Sequence, residues 1–494
     1  MTLTTVVLVI ALVAILLTAL TRFVAHRQAP LWLSFLQNFC GAWFVFSGYV
    51  KVADPLGTAY KMEQYFAEFS ATAAGAGLGF VEPLFAAMSG ISPAVAMIMV
   101  VLEVVLGVML ITGTRPRFTS WTFLAVMAFF TVLTGFTYLT GYVPTDATFF
   151  EFSRWGAYEA TNMRVTDCGC FGDFLKLEPY TSFLKDVFLM VPAVLFVLYA
   201  GRMHQWFGAG LRRGISWASV AAASLFGVSN FVWDIPGTDF RPFAEGVNVR
   251  ERKAAEQEAE ANIEVLAYGI TDKETGAYQE LPFDDYLARF KEFPTERFEL
   301  TQITSEPAVP HTKISEFELE DADGAPVADD LLAEPGYSVM VVAYRLYDDG
   351  TEQREVKRQD SLFVDASADD PEAPPRKVFA ALQERSEIAN VTRWEGKYLD
   401  RWRERIVPFA DAAAAAGWRV YAATAYTDPA RVDDFRHAAQ WAHPVYEGDD
   451  ILLKTIIRAN PGVVVLRDGE ILRKYHTRHV PGFEELRAEL EAGR

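Results

Sequence analysis

The sequence predicts an α-helical membrane bundle of about six transmembrane helices followed by an α/β soluble domain. Three observations predict it. Six long apolar runs all end before residue 234. Charge is balanced over residues 1–239, where 13 Lys+Arg face 14 Asp+Glu, a net of −1 that leaves −18 of the whole chain's −19 for residues 240–494. Beyond residue 240 the apolar residues fall into short β-type runs alternating with helical patterns. The acidity of the second part argues against nucleic acid or an anionic lipid surface as its partner and suits a solvated, exported domain. About 255 residues are enough for one or two cores.

An apolar stretch of about 20 residues crosses a hydrocarbon core of about 30 Å. The runs are 3–21, 33–52, 92–113, 118–140, 182–201 and 214–233. The first is read as a retained span, because no basic leader precedes it and it ends in Thr-Arg-Phe, unlike a small-residue cleavage site. The fifth carries Lys185 and Asp186 in its first turn and Pro192 inside, and its charged end is expected to snorkel to the interface. The connections after spans one, three and five carry Arg22 and Arg27, Arg115 and Arg117, and Arg202, Arg212 and Arg213, with no acid. The connections after spans two and four mix signs. The positive-inside rule then places the arginine loops in the cytoplasm of a multi-pass inner-membrane protein, with the C-terminal domain periplasmic.

Two of the three cysteines, Cys168 and Cys170, flank Gly169 in Asp167-Cys168-Gly169-Cys170-Phe171-Gly172-Asp173, on the loop after span four. Bridging cysteines one residue apart demands a tight turn, which Gly169 allows, and a small strained ring is of the exchange-competent kind. The alternatives are two free thiols packed in the loop, or copper(I); two thiolates without a nearby histidine fall short of a zinc set. Asp167 and Asp173 are expected to raise the thiol pKa by their negative charge. Glu103, midway along the third span, is an intramembrane acid with two readings: a proton relay or quinone-site acid, or a partner of Lys51 that holds the bundle together. Lys51, Asp54 and Lys61 read as interfacial or capping residues, and Cys40 as core filler.

The soluble part is expected to open with a linker over 234–262, including a charged helix at 250–260, and a β-rich region over 263–334 with a hairpin from 263–268 and 278–281 and a short strand at 317–319. Residues 335–494 alternate: a strand at 337–344, a helix at 398–415, a strand at 419–424, helices at 430–441 and 451–458, strands at 463–466 and 471–475, and a last helix from 482. Residues 347–395 read as an exposed insertion with one short helix near 378–384.

The order of elements in 335–494, with Asn460-Pro461 before an apolar strand and an Asp-Gly hairpin after it, resembles the thioredoxin fold, which implies that Pro461 sits beside the active-site position. No cysteine follows Cys170, so the dithiol of that fold, which would fall near Tyr344 and Arg345, is absent and this domain performs no thiol exchange. In the membrane part, Phe46-Ser47-Gly48, Lys51, Asp54-Pro55-Leu56-Gly57 and Tyr60-Lys61, together with the Asp-Cys-Gly-Cys-Phe-Gly run, resemble the DoxX/MauE family. The likeness is to Bacteroidetes-type members with an appended thioredoxin-like domain, and covers about residues 38–201. There the first span (1–32) precedes the membrane domain (33–233), and the joining segment centres on Asp239-Phe240-Arg241-Pro242-Phe243. The resemblance implies redox work: MauE members serve methylamine utilisation through disulfide formation in, or export of, a dehydrogenase subunit, and DoxX relatives are linked to quinone-coupled oxidation. Three functions follow as expectations: a membrane thiol-redox protein acting through Cys168 and Cys170 with quinone as acceptor; a non-catalytic assembly or docking factor for exported clients; and a transporter using Glu103.

Overall fold

The structure, a computed structural model, describes residues 2–165, 169–365 and 377–492. Two compact units divide it, residues 1–244 and 245–494.

The first unit is helical. Its elements are α1 (Leu3–Val24), a short β1 (Ala25–Arg27), α2 (Leu31–Ala53), α3 (Pro55–Gly75), α4 (Glu82–Gly90), α5 (Ser92–Thr112), α6 (Pro116–Thr140), α7 (Pro179–Tyr199), β2 (Gln205–Trp206) and α8 (Ala209–Val228), extended by a π turn over Ser229–Trp233. Five helices, α1, α5, α6, α7 and α8, are long and apolar enough to cross a membrane, so this is a multi-pass membrane protein. The remaining run expected to span, 33–52, is helical too, as α2, but falls short in apolarity. It buries Ser34, Gln37, Asn38, Ser47 and Lys51, and Gln37, Ser47, Lys51 and the Asn38 amide nitrogen find partners inside the bundle. Gln37 donates to the Leu110 and His204 carbonyls at 2.8 and 3.2 Å. β1 pairs with β2, and Gly113, at φ +68, lies so close to His204 that a Cβ there would stand 1.9 Å from its carbonyl oxygen. The three arginine-bearing connections thereby meet at one end of the bundle, around the N-terminal half of α2. The second connection, expected to be loop, contains α3 and α4. Asp54 caps α3 by accepting from the Gly57 amide at 3.1 Å, with Pro55 in the first turn, which meets the capping expectation.

The second unit begins with α9 (Val249–Ala261), which is no free spacer: Lys253 and Glu256 are buried, Lys253 donating to the Phe317 carbonyl and to Glu318 and Asp329. A three-stranded antiparallel sheet follows in the order β4-β3-β5, from β3 (Val265–Asp272), β4 (Tyr278–Pro282) and β5 (Phe298–Thr304), with α10 (Phe283–Arg289) between the last two. The hairpin is as expected. Residues 317–319 form no strand; only Glu320 bridges, to Pro326 and Glu447.

After α11 (Ala328–Ala333) and β6 (Tyr337–Ala343) come β7 (Asp348–Asp365) and β8 (Lys377–Trp394), an antiparallel pair that replaces the expected insertion with a helix. Backbone pairing across a long hairpin overrides the helical propensity of the Ala-Ala-Leu-Gln-Glu stretch. The remaining elements are α12 (Gly396–Arg401), α13 (Val407–Ala415), β9 (Arg419–Ala425), α14 (Pro429–Ala439), β10 (Val445–Gly448), α15 (Asp450–Ile456), β11 (Gly462–Arg467), β12 (Glu470–His476) and α16 (Phe483–Ala492). The helix expected over 398–415 is interrupted by a π turn at Trp402–Ile406. A five-stranded sheet has the order β10-β9-β6-β11-β12, with β6, β9 and β10 parallel and β11 and β12 antiparallel. Val339, Val341, Ala343, Val463 and Val465 pack on Tyr398, Trp402, Phe409 and Phe435, while Met340, Val342 and Val464 are buried on the other face. Strands covered on both sides read as unbroken apolar runs, which is why these were visible in the sequence.

Candidate functional site

The site is built on α2. Gly41 and Gly48 face Gly107 and Val104 of α5 so closely that a Cβ on Gly107 would stand 2.7 Å from the Gly41 carbonyl oxygen, and one on Gly48 2.9 Å from the Val104 amide. Small residues let helix backbones approach in this way. The approach brings Ser47 and Lys51, one turn apart on α2, within reach of Glu103. Lys51 Nζ lies 2.7 and 3.0 Å from the two Glu103 carboxylate oxygens, and the two side chains are only 7% and 4% exposed. Lys51 also sits 5.0 Å from the centre of the Phe130 ring.

Ser47 joins this pair to the cysteine loop. Its Oγ lies 2.6 Å from Glu103 Oε1 and 2.9 Å from the Cys170 carbonyl oxygen. A hydroxyl has one proton to donate, so it serves one of these acceptors at a time. The loop turns tightly, the Gly172 amide donating to the Gly169 carbonyl at 3.2 Å with both glycines at positive φ. Phe171, 1% exposed, pins it to α2 with its ring 5.4 Å from Trp43 and 5.9 Å from Phe46; Phe174 adds a ring contact with Phe46 at 5.5 Å. The joining segment docks here as well: Phe240 lies 5.2 Å from Phe174, and Asp239 holds the buried Arg241 in a two-pronged ion pair at 2.7 and 2.8 Å.

A second buried ion pair lies on α7. Lys185 and Asp186 bond to each other, with Asp186 2% exposed, and Thr134 donates to the other Asp186 oxygen at 3.0 Å. The expectation that this charged end snorkels outward is overturned, because a partner on α6 makes burial tolerable. Burial pushes the Cys170 thiol up; Lys185 and Lys51 oppose that push, Asp186 and Glu103 reinforce it. Asp173 lies 3.9 Å from Lys176.

Of the residues singled out in the sequence, Lys51, Glu103 and the Cys170 backbone come together through Ser47, and Lys185 and Asp186 form a separate buried pair with Thr134. Asp167 and Cys168 lie outside the described residues; Cys170 is a free, half-buried cysteine. Cys40 is fully buried in the aromatic core, as core filler should be. Lys61 bonds Gln64 at 2.9 Å and packs beneath Gly169. Pro461 belongs to the other unit. It follows a cis peptide bond, is buried, opens β11, and its carbonyl accepts from Thr477. Beside β6, the Arg345 carbonyl accepts from Asn460 Nδ2 at 2.7 Å and from the Tyr398 hydroxyl at 3.0 Å. Among the described residues no group of three or more His, Cys, Asp and Glu is placed to hold a metal ion.

The chain matches no protein-family model, no curated protein and no solved structure.

Proposed function

We propose that the membrane unit is a thiol/disulfide redox protein in which Cys168 and Cys170 exchange electrons with exported clients and Glu103, Lys51 and Ser47 handle the accompanying protons. The observation that carries the reading is the buried run from the Cys170 carbonyl through Ser47 to Glu103 and Lys51. An ion pair so enclosed is costly unless its partners are fixed, and intramembrane ionisable groups are functional by default. The balance is closed by a quinone as the class of acceptor. The Cys168–Cys170 disulfide takes two electrons and two protons from a client dithiol, the client leaves with a disulfide, and the cysteine dithiol returns both electrons and both protons to quinone, which leaves as quinol. This is the redox role that the DoxX/MauE resemblance implies, of methylamine-utilisation type, with the cysteine loop on the periplasmic side of the inner membrane.

The C-terminal unit is read as a thioredoxin-like domain that presents clients and performs no exchange. The strand order, in which β11 and β12 add antiparallel pairings beside three parallel strands, and the proline ahead of β11 support this, as does the occupation of the would-be dithiol position by Tyr344 and Arg345. The test is the redox state of the cysteine pair in native membranes, read by alkylation. The expected result is an oxidised pair that becomes reduced when quinone is depleted, with re-oxidation slowed about a hundredfold or more in Glu103→Gln, the range for loss of a positioned proton-transfer group. A pair that stays reduced with quinone present, or re-oxidises at the parent rate in Glu103→Gln, overturns the reading.

A further inference from the structure

The end of the bundle where the three arginine-bearing connections meet holds a charge without a counter-charge among the described residues. Arg212, whose amide closes the first turn of α8, is 8% exposed, and its Nη1 is enclosed with no hydrogen-bond partner. None of the three connections has an acid to offer it. The other buried cations of this unit are matched: Lys51 by Glu103, Lys185 by Asp186 and Arg241 by Asp239. A buried cation left alone is costly, so its presence calls for an anion from outside the chain.

The surroundings suit a phosphate. Side chains of a helix lean toward its N-terminus, so the Arg212 guanidinium leans toward the opening turn of α8. No side chain caps that turn. Such a helix start offers free N–H groups and the positive end of the helix dipole to an anion. The start of α6 adjoins it: Thr114 Oγ1 stands 3.5 Å from the Arg212 carbonyl oxygen and 3.4 Å from Ser216 Oγ, and the exposed Arg115 follows at the cap of α6. A Cβ added at Gly208 or Gly210 would meet nothing within 4 Å, which leaves the turn open to a ligand. Leu211 on α8 and Phe118 and Trp121 on α6 are exposed, an apolar surface for acyl chains next to a place for a headgroup.

We propose that Arg212, with the first-turn amides of α8, binds the phosphate of an anionic phospholipid in the leaflet that meets the arginine-bearing connections. The guanidinium fork matches phosphate oxygens two at a time. Free phosphate offers the same oxygens, but the apolar side chains beside the turn single out the lipid. The inference goes beyond the redox reading and stands without it.

The experiment uses the full chain in detergent micelles. Dioleoyl phosphatidylglycerol, diacylglycerol of the same chains and inorganic phosphate are titrated in, and bound lipid per chain is read by native mass spectrometry. Phosphatidylglycerol is expected to be retained at least about tenfold more tightly than diacylglycerol, the scale of a charge-assisted contact. Inorganic phosphate at equal concentration should not displace it. Arg212→Gln should bring the two lipids within about threefold of each other, whereas Arg213→Gln, at the exposed neighbouring position, should stay within about threefold of the parent, because exposed charges are screened. Should Arg212→Gln fail to fold, Gly210→Glu sets a carboxylate in the same turn, which a helix start favours, and should lose phosphatidylglycerol by about the same tenfold. Equal retention of both lipids by the parent, a folded Arg212→Gln that binds like the parent, or an equal loss in Arg213→Gln overturns the site. Displacement of phosphatidylglycerol by inorganic phosphate at equal concentration overturns the choice of a lipid as its occupant.

Discussion

Lys51→Met should cost the protein about 3 kcal/mol. Breaking a buried ion pair by removing one partner costs about 3–5 kcal/mol, because the surviving charge is left without water or counter-charge. Glu103 would keep Ser47, 2.6 Å away, and a hydrogen bond to a charged group is worth about 1.5–3 kcal/mol, which places this variant at the low end. Glu103→Leu strands Lys51, whose remaining company is the Phe130 ring at 5.0 Å, worth about 2 kcal/mol at most when desolvated. Its loss should lie nearer 4 kcal/mol, the upper part of the same range. The double variant Lys51→Met/Glu103→Leu removes both charges and fills the space with apolar groups, and should fall within about 1 kcal/mol of the parent. The assay is equilibrium unfolding of the detergent-solubilised full chain, followed by tryptophan fluorescence, for all four proteins of the cycle. With single losses of about 3 and about 4 kcal/mol and a double loss within about 1 kcal/mol, the coupling energy is expected at about 6 kcal/mol, above the range of about 0.5–3 kcal/mol usual for contacting residues. Single effects that simply add in the double variant would show that the pair does not hold α2 to α5.

In the second unit, Trp402→Ala should cost about 3–5 kcal/mol, since the indole is 1% exposed among Tyr398, Phe435 and Trp441, and chemical denaturation of the chain should show the loss in the transition of that unit. Burial raises the Glu256 carboxyl, but Arg252 at 2.6 Å and two hydrogen bonds from Thr312 outweigh it and hold the group below its ordinary value. A depressed carboxyl contributes stability above its unfolded value and loses it as pH falls through the folded one, so this unit should weaken on acidification below the carboxylate range, and Glu256→Gln should flatten that dependence in a denaturation series. Reporters fused at Arg117 or Arg212 should be active in the cytoplasm, and one fused after the last residue in the periplasm; a cytoplasmic C-terminus would also remove the oxidising surroundings that the cysteine pair requires. In native membranes Cys168 and Cys170 should resist alkylation until mildly reduced, while Cys40 stays unlabelled throughout; free labelling without reductant would exclude an oxidised pair.

The legible parts of the fold are those whose burial leaves a local pattern. β9, β11 and β12 lie within two residues of the runs at 419–424, 463–466 and 471–475, because covered strands need unbroken apolar sequence between turn residues. β7 and β8 were illegible for the opposite reason. They pair with each other, with Glu355 across from Ile388 and Lys357 across from Ser386, so their charged residues gave no period that separates a strand from an exposed loop. α3 and α4 were missed because attention to long apolar runs passes over helices that do not span. Hydropathy does not say that Gln37 of α2 reaches the Leu110 carbonyl or that Asn38 reaches Thr18 and Thr21.

The candidate site shows the same limit from the side of chemistry. Glu103 was visible alone, because an acid in mid-span stands out in one dimension. Lys185 and Asp186 were equally visible, yet whether an intramembrane charge snorkels or pairs is decided by the neighbouring helix. Here it is Thr134, 52 residues away in sequence, that decides it. Ser47 carries no signal of its own; its weight comes from lying between Glu103 and a carbonyl 123 residues further on. The upward direction expected for the thiol is the one burial gives Cys170, with Lys185 and Lys51 opposing it and Asp186 and Glu103 reinforcing it. A Cys-Gly-Cys spacing can nominate a redox pair, but the charged groups around Cys170 come from α2, α5 and α7, which no single motif spans.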